Sequence, residues 1–198
     1  MTAEPTRGLA HRLARSGALE ACLIGAAGGG AVLMSIAAAP GWSGVAGAVL
    51  AGLMLAIAVV DHRRMIIPDE LNALAFMVGL VSAGVGADGS STGAILQAVV
   101  RASLMFVLFF AFRAGFRTLR GVEGMGFGDV KLAAVAGVWL GWGFLPVVVE
   151  IAALTALAVA LYASLRGHGF DPKARLPFGA FLAPSIWICW ALAAWSSQ

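Results

Sequence analysis

Long apolar runs recur along this chain, at about 19–40, 42–60, 70–87, 94–112, 129–145, 147–165 and 177–195, and the breaks between them hold Pro, Gly or clustered charge. About 20 apolar residues in a helix cross the hydrocarbon core of a bilayer, and inside that core every backbone N–H and C=O must be satisfied by the segment itself. The pattern predicts an all-α, polytopic membrane bundle of seven transmembrane helices. The fifth and sixth runs are separated only by Trp142-Gly-Phe-Leu-Pro146. A re-entrant hairpin there reduces the count to six or five. Hydrophobic residues make up 61% of the 198 and charged ones only 12%, which places the chain in the bilayer as one domain over 1–198. Its 26 glycines let helices approach closely, where lipid offers no hydrophobic drive and packing must hold them together.

Charge orients the bundle. Arg7, Arg12 and Arg15 precede the first run, Arg63 and Arg64 follow the second, Arg113, Arg117, Arg120 and Lys131 bracket the loop after the fourth, and Arg166, Lys173 and Arg175 lie before the last. The alternate turns, Gly41-Trp-Ser-Gly44, Asp88-Gly-Ser-Ser-Thr92 and Trp142 to Pro146, carry no Lys or Arg. The positive-inside rule then makes every basic loop and the amino terminus cytoplasmic, and puts Trp195-Ser-Ser-Gln198 outside. Arg101 alone breaks the pattern; it is expected to pair with Glu150, each charge offsetting the cost of the other in lipid. The first run exceeds the roughly 7–15 residues of a signal-peptide core, so a retained helix is expected even though the run ends in Ala37-Ala-Ala39.

Cys22 and Cys189 fall in separate runs, with no C-x-x-C pair, and read as packing residues. His11, His62 and His168 are scattered over three segments without ligand spacing, so no metal or cofactor is expected. No serine has a nucleophile-elbow context. Two carboxylates stand out: Asp61, where the second run meets its basic loop, and Asp129, which closes the stretch Gly124-Met-Gly-Phe-Gly-Asp-Val-Lys131. The topology puts both at one depth on the cytoplasmic face. If the second and fifth helices pack side by side, the acids face each other across a water, as aspartyl proteolysis requires, and share a proton near neutral pH. Asp129 at an N-cap and Asp61 at a C-terminal end give Asp129 the ionised, base-like role by helix polarity. Gly126 and Gly128 suit positive φ, either for a substrate backbone to lie against the loop or simply for a tight turn. Asp69, Glu70 and Glu123 read as ordinary solvated loop acids, and Lys131 as a snorkelling boundary residue.

Asp61-His-Arg-Arg-Met-Ile-Ile-Pro68-Asp-Glu-Leu-Asn72, followed by Gly126-Phe-Gly-Asp129-Val-Lys131-Leu, resembles the type IV prepilin peptidase family. In that family an aspartate precedes an Ile/Leu-Pro-Asp/Asn at this spacing and a second lies in a Gly-x-Gly-Asp-x-Lys element. The following Ala-Ala-Val-Ala-Gly-Val-Trp-Leu-Gly141 and the late Leu176-Pro-Phe-Gly179 also fit, so the likeness runs from about the second span to the end. It implies a GxGD aspartyl protease of the bacterial inner membrane, with Asp61 and Asp129 catalytic and Pro68, Gly126, Gly128 and Lys131 supporting them. It also implies the substrates: prepilins or pseudopilins, cut on the cytoplasmic side between a basic leader and an apolar helix. Pilus or secretion assembly components are the implied partners besides lipid; no nucleic acid is.

Bifunctional members carry a cytoplasmic insertion with C-x-x-C pairs after the first span and methylate the new amino terminus. Here span two follows almost directly, so the chain is similar to the short peptidase-only forms of tight-adherence (Flp) pilus systems, and no methyl donor is expected. Presenilin and signal-peptide-peptidase proteins share Gly-x-Gly-Asp, but Val59-Val60-Asp61 lacks their Tyr-Asp and Ala183-Pro-Ser185 is a poor match to Pro-Ala-Leu. A transporter or channel using Arg101 and Glu150 as a polar path is the non-enzymatic alternative. Such a protein need not depend on both Asp61 and Asp129.

Overall fold

The computed structural model describes residues 5–86, 91–121, 124–166 and 177–197, and the side chains of these except 5–19 and 120. The turn at Asp88, Glu123, His168, Lys173, Arg175 and Leu176, and the side chains of Arg7, His11, Arg12, Arg15 and Arg120, lie outside the described residues. Among them stand seven helices: α1 (Pro5–Ala38), α2 (Trp42–Arg64), α3 (Asp69–Val85), α4 (Ser91–Arg120), α5 (Phe127–Trp139), α6 (Phe144–Leu165) and α7 (Gly179–Ser196). The described residues contain no strand.

Each expected apolar run is a helix, but three differ in extent, α1 beginning at Pro5 rather than near residue 19. Five stretches are long and apolar enough to cross a bilayer: Glu20–Ala38, Trp42–Arg64, Ser91–Leu119, Phe144–Leu165 and Gly179–Ser196. α3 has 17 residues and α5 only 13, about 20 Å of helix at 1.5 Å per residue. The fifth run was expected to reach residue 145, yet α5 stops at Trp139, where Leu140 turns extended (φ −107°, ψ 142°) ahead of Gly141 and Gly143. A short helix at membrane depth is tolerable only if protein surrounds its end, and α5 is the most enclosed element, with Val130, Leu132, Ala133, Val135, Ala136 and Val138 all buried. Conversely α4 runs past the expected residue 112 to Arg120, because arginine continues a helix well once the apolar stretch is over.

The packing order departs from a side-by-side α2 and α5. α5 packs on α4, α3 and α7, while α2 packs on α1, α3 and α7; thus α3 and α7 each touch both and stand between them. The core joins Leu50, Met54 and Ile57 of α2, Leu132 and Val135 of α5, and Leu182 and Ile186 of α7. Cys189 is buried in that core, whereas Cys22 is exposed on α1. Glycines set the approach distances: the Trp190 ring lies directly against Gly47, and the Gly137 face lies on the α4 backbone, where an added Cβ would come 2.5 Å from Ala102 Cα.

The expected Arg101–Glu150 pair does not form. Arg101 Nε donates to Gly137 O at 3.2 Å, Glu150 is exposed on α6, and α4 and α6 share no substantial contact. The reason lies in the early end of α5: its last carbonyls lack intrahelical donors, and a cation at a helix C-terminus is favoured there.

Candidate active site

Asp61 lies one turn from the end of α2, and the sequence after it reverses the chain at once. Met65 caps α2 in the left-handed region (φ 55°), its N–H donating to Asp61 O at 2.8 Å. Left-handed geometry is costly for a residue with a Cβ, so this turn is strained. Ile66 and Ile67 are non-helical before Pro68, which disfavours helix in the residue ahead of it and stands as the N-cap of α3. Pro68 thereby delivers Ile67, which is buried, to the floor of the site.

Across from it, Gly126 is the N-cap of α5 and Asp129 its third residue. Asp129 Oδ2 accepts the Gly126 N–H at 3.1 Å, the side-chain half of a capping box. Asp129 was expected at the N-cap itself; it stands three residues after the Gly126 N-cap, in the first helical turn, where the macrodipole still favours a carboxylate. Neither motif glycine adopts positive φ: among described glycines only Gly41 and Gly121 do. Gly128 is required by close approach instead, since a Cβ there would lie 2.9 Å from Ile67 Cβ.

The third contributor is the first turn of α7. Asp61 Oδ2 accepts the Ala180 N–H at 2.8 Å. A Cβ built on Gly179 would stand 2.9 Å from Asp61 Oδ2, 3.1 Å from Asp129 Oδ1 and 2.6 Å from Ile67 Cδ1. The two carboxylate oxygens are therefore within about 6 Å of each other. Both side chains are buried, at 5% and 7% exposure, and two carboxyls so close cannot both ionise cheaply. Asp129 Oδ1 has no hydrogen-bond partner among the described residues. The helix-polarity distinction between the acids loses its basis here, because Asp61, at the end of α2, also receives the N-terminal turn of α7.

An open cleft of about 310 Å³ leads to the pair, lined by Asp61, Met65, Ile66, Ile67, Asp69, the Gly126–Asp129 turn and Lys131. Lys131 Nζ pairs with Asp69 Oδ1 at 2.7 Å and lies 5.1 Å over the Phe127 ring. It ties α5 to α3 at the rim and pairs with neither Asp61 nor Asp129. Glu70 and His62 are exposed. The loop before Asp129 is shorter than expected, because α4 takes up residues to 120, and Arg113 Nε holds it by donating to Met125 O at 3.1 Å. Among the described residues no three His, Cys, Asp or Glu side chains cluster as a metal would need.

The structure thus brings together Asp61, Asp129, Gly126, Gly128 and, through Ile67, Pro68, with Lys131 at the rim. Sequence reasoning missed the parts played by Ile67, Gly179 and Ala180. Two of them act through backbone or absent atoms, and the only signal was a Pro-Phe-Gly ahead of the last apolar run.

Residues 48–161 match the model of the type IV leader peptidase family. The chain is similar to the prepilin leader peptidase/N-methyltransferase of Aeromonas hydrophila, 33% identical over 159 residues that cover 79% of this chain and 52% of the relative. Proteins of the same name from Burkholderia pseudomallei (strain 1026b) and Pectobacterium carotovorum subsp. carotovorum are 37% and 35% identical over 68% of this chain, and 42% and 47% of their own lengths. The chain spans about half the length of the curated relatives it matches. No solved structure matches it. The matched stretch takes in α3, α4 and α5 and both buried aspartates, and the chain belongs to the type IV leader peptidase family.

Proposed function

We propose that this protein is a membrane aspartyl endopeptidase that removes the short basic leader of prepilins or pseudopilins at the cytoplasmic face of the bacterial inner membrane. The observation that carries the reading is the convergence of Asp61 and Asp129, from two separate helices, on Gly179. In the proposed cycle one carboxylate takes a proton from a water held between the pair, and the water oxygen bonds to the scissile carbonyl carbon. The partner carboxyl gives its proton to the carbonyl oxygen. Collapse of the tetrahedral intermediate breaks the C–N bond, re-forms the carbonyl and sends a proton to the leaving amine. One proton shared between the acids serves both roles, and activity should fall when the pair holds two protons or none.

The placement of the site supports the cytoplasmic side. Arg63 and Arg64 end α2, Arg113 and Arg117 lie in the last turns of α4, and Arg166 follows α6, at the same end as the dyad. Basic residues gather on the cytoplasmic side of membrane proteins. The proposal is for peptidase chemistry alone, since only Ala39, Pro40 and Gly41 join α1 to α2, where bifunctional family members carry their insertion. Prepilins, lipid and the pilus or secretion machinery that uses the cut product are the proposed partners. The transporter alternative has lost its polar path, with Arg101 bonded to α5 and Glu150 facing outward.

The test is in-membrane cleavage of a co-expressed prepilin by the parent, Asp61→Asn and Asp129→Asn, with folding checked in detergent. Cleavage by the parent and by neither variant is expected. A folded variant that still cuts removes its aspartate from the mechanism.

A further inference from the structure

A second hollow, about 320 Å³ and largely apolar, opens beside the catalytic cleft between α3, α4 and α5. Asp69 and Lys131 line both, so the ion pair marks the place where cleft and groove meet. From there the groove descends along Ala73 and Phe76 of α3, Phe106 of α4, and Ala134 and Val135 of α5. Phe76 is seven residues beyond Asp69 on one helix, about 10 Å further from the basic end. The hollow therefore runs from the level of the aspartates into the apolar slab.

Below the Asp69–Lys131 pair, one further polar group lies on its wall. Asn72 is 4% exposed, and its Nδ2 donates over a long 3.5 Å to Gly128 O. Its Oδ1 is shielded from water and has no hydrogen-bond partner among the described residues. A buried carbonyl oxygen without a donor is costly. The terminal torsion of asparagine is broad, so a modest turn presents Oδ1 to a donor in the groove.

We propose that this groove receives the start of the substrate's apolar segment, the residues just after the scissile bond, and that Asn72 Oδ1 accepts a backbone N–H from it. The inference rests on the peptidase reading above. It follows from complementarity: the first N–H groups of a helix have no intrahelical acceptor, and at membrane depth they must find one in protein. An apolar wall with a single unused acceptor, next to the dyad, meets that need. The basic leader then stays above, in the polar cleft.

The test is cross-linking in membranes. In a chain carrying Cys22→Ser, Cys189→Ser, Ala73→Cys and Asp129→Asn, which leaves prepilin uncut, single cysteines are scanned through the prepilin leader and the first ten or so residues of its apolar segment. Disulfides are expected within about two turns after the scissile bond and not in the leader. A matched chain with Leu154→Cys, on the exposed face of α6, should give none. Leader cross-links, or equal yields from residues 73 and 154, overturn the groove. In parallel, Asn72→Leu should raise KM about tenfold, the size of one lost hydrogen bond to a buried group, with kcat within about threefold. A fall in kcat at unchanged KM would mean that Asn72 only steadies the Gly128 turn. A parent that leaves prepilin uncut removes the peptidase reading itself; a parent that cuts, with no cross-link at residue 73, removes the groove alone.

Discussion

Asp61 Oδ2 accepts the Ala180 N–H at 2.8 Å, a bond that spans 119 residues of sequence and ties the end of α2 to the start of α7. It supplies what the end of α2 lacks: a backbone donor and a helix N-terminus directed at the carboxylate. Asp129 has its own donor in Gly126, so Asp61 is held by a first-turn amide of α7 and Asp129 by the N-cap amide of its own helix. Neither is free to swing, which is what a fixed water between them requires.

The glycine beside that bond is the first point of test. A methyl at residue 179 would press on Ile67 Cδ1 at 2.6 Å and on both carboxylates at about 3 Å. Gly179→Ala should therefore lower prepilin cleavage by about 100-fold, the usual scale for displacing a catalytic group by an ångström, while the protein still folds. Gly143→Ala is the control, with nothing within 4 Å of the added carbon. Equal rates for the two variants would show that α7 does not shape the site.

Lys131 belongs to the motif yet should matter little to chemistry. Its partner Asp69 is 69% exposed and Lys131 itself 34%, so water screens the pair. A double-mutant cycle over Lys131→Met and Asp69→Asn, read by unfolding in detergent, should give a coupling below about 1 kcal/mol. Lys131→Met should cut cleavage by no more than about threefold in the same membranes. A loss approaching that of Asp129→Asn would place Lys131 in the reaction.

The two acids were legible in the sequence because a carboxylate at the edge of an apolar run needs a reason, and the helices were legible because lipid demands them. What surrounds the acids was not. Ala180 contributes a backbone N–H and Gly179 an absence of atoms, neither of which has a side-chain signature. Gly126 and Gly128 drew attention for positive φ, but the reason at Gly128 is the Ile67 side chain against it, a contact that only the fold reveals. Hydropathy carried the fifth helix to residue 145 because Leu140, Trp142, Phe144 and Leu145 are apolar whether helical or not. Helix order was not legible for a similar reason: nothing in α2 or α5 says that α3 and α7 stand between them.

Arg101 offers a test of the corrected packing. Its guanidinium serves the Gly137 carbonyl rather than Glu150, so Arg101→Leu should destabilise the fold by about 1–3 kcal/mol through the acceptor left buried. Glu150→Leu should add independently, the double variant matching the sum of the singles within about 0.5 kcal/mol, as distant sites do. Strong non-additivity in detergent unfolding would restore the ion pair.

Gly137 tests whether the α4–α5 contact positions Asp129. A Cβ there would come 2.5 Å from Ala102 Cα and 2.6 Å from Arg101 C, backbone atoms that cannot turn aside. Gly137→Ala must therefore push α5 off α4, at about 1–3 kcal/mol for an overpacked core. Gly52, on the exposed side of α2, has nothing within 4 Å, and Gly52→Ala should be neutral or stabilising by up to about 1 kcal/mol. The functional readout separates two roles for the contact. Asp129 lies eight residues before Gly137 on the same short helix, so a shift of α5 moves the carboxylate relative to Asp61, which α2 and α7 hold in place. Gly137→Ala should then lose cleavage in proportion greater than its loss of folded protein. Cleavage that tracks the folded fraction alone would mean that α5 tilts about its far end and leaves the dyad intact.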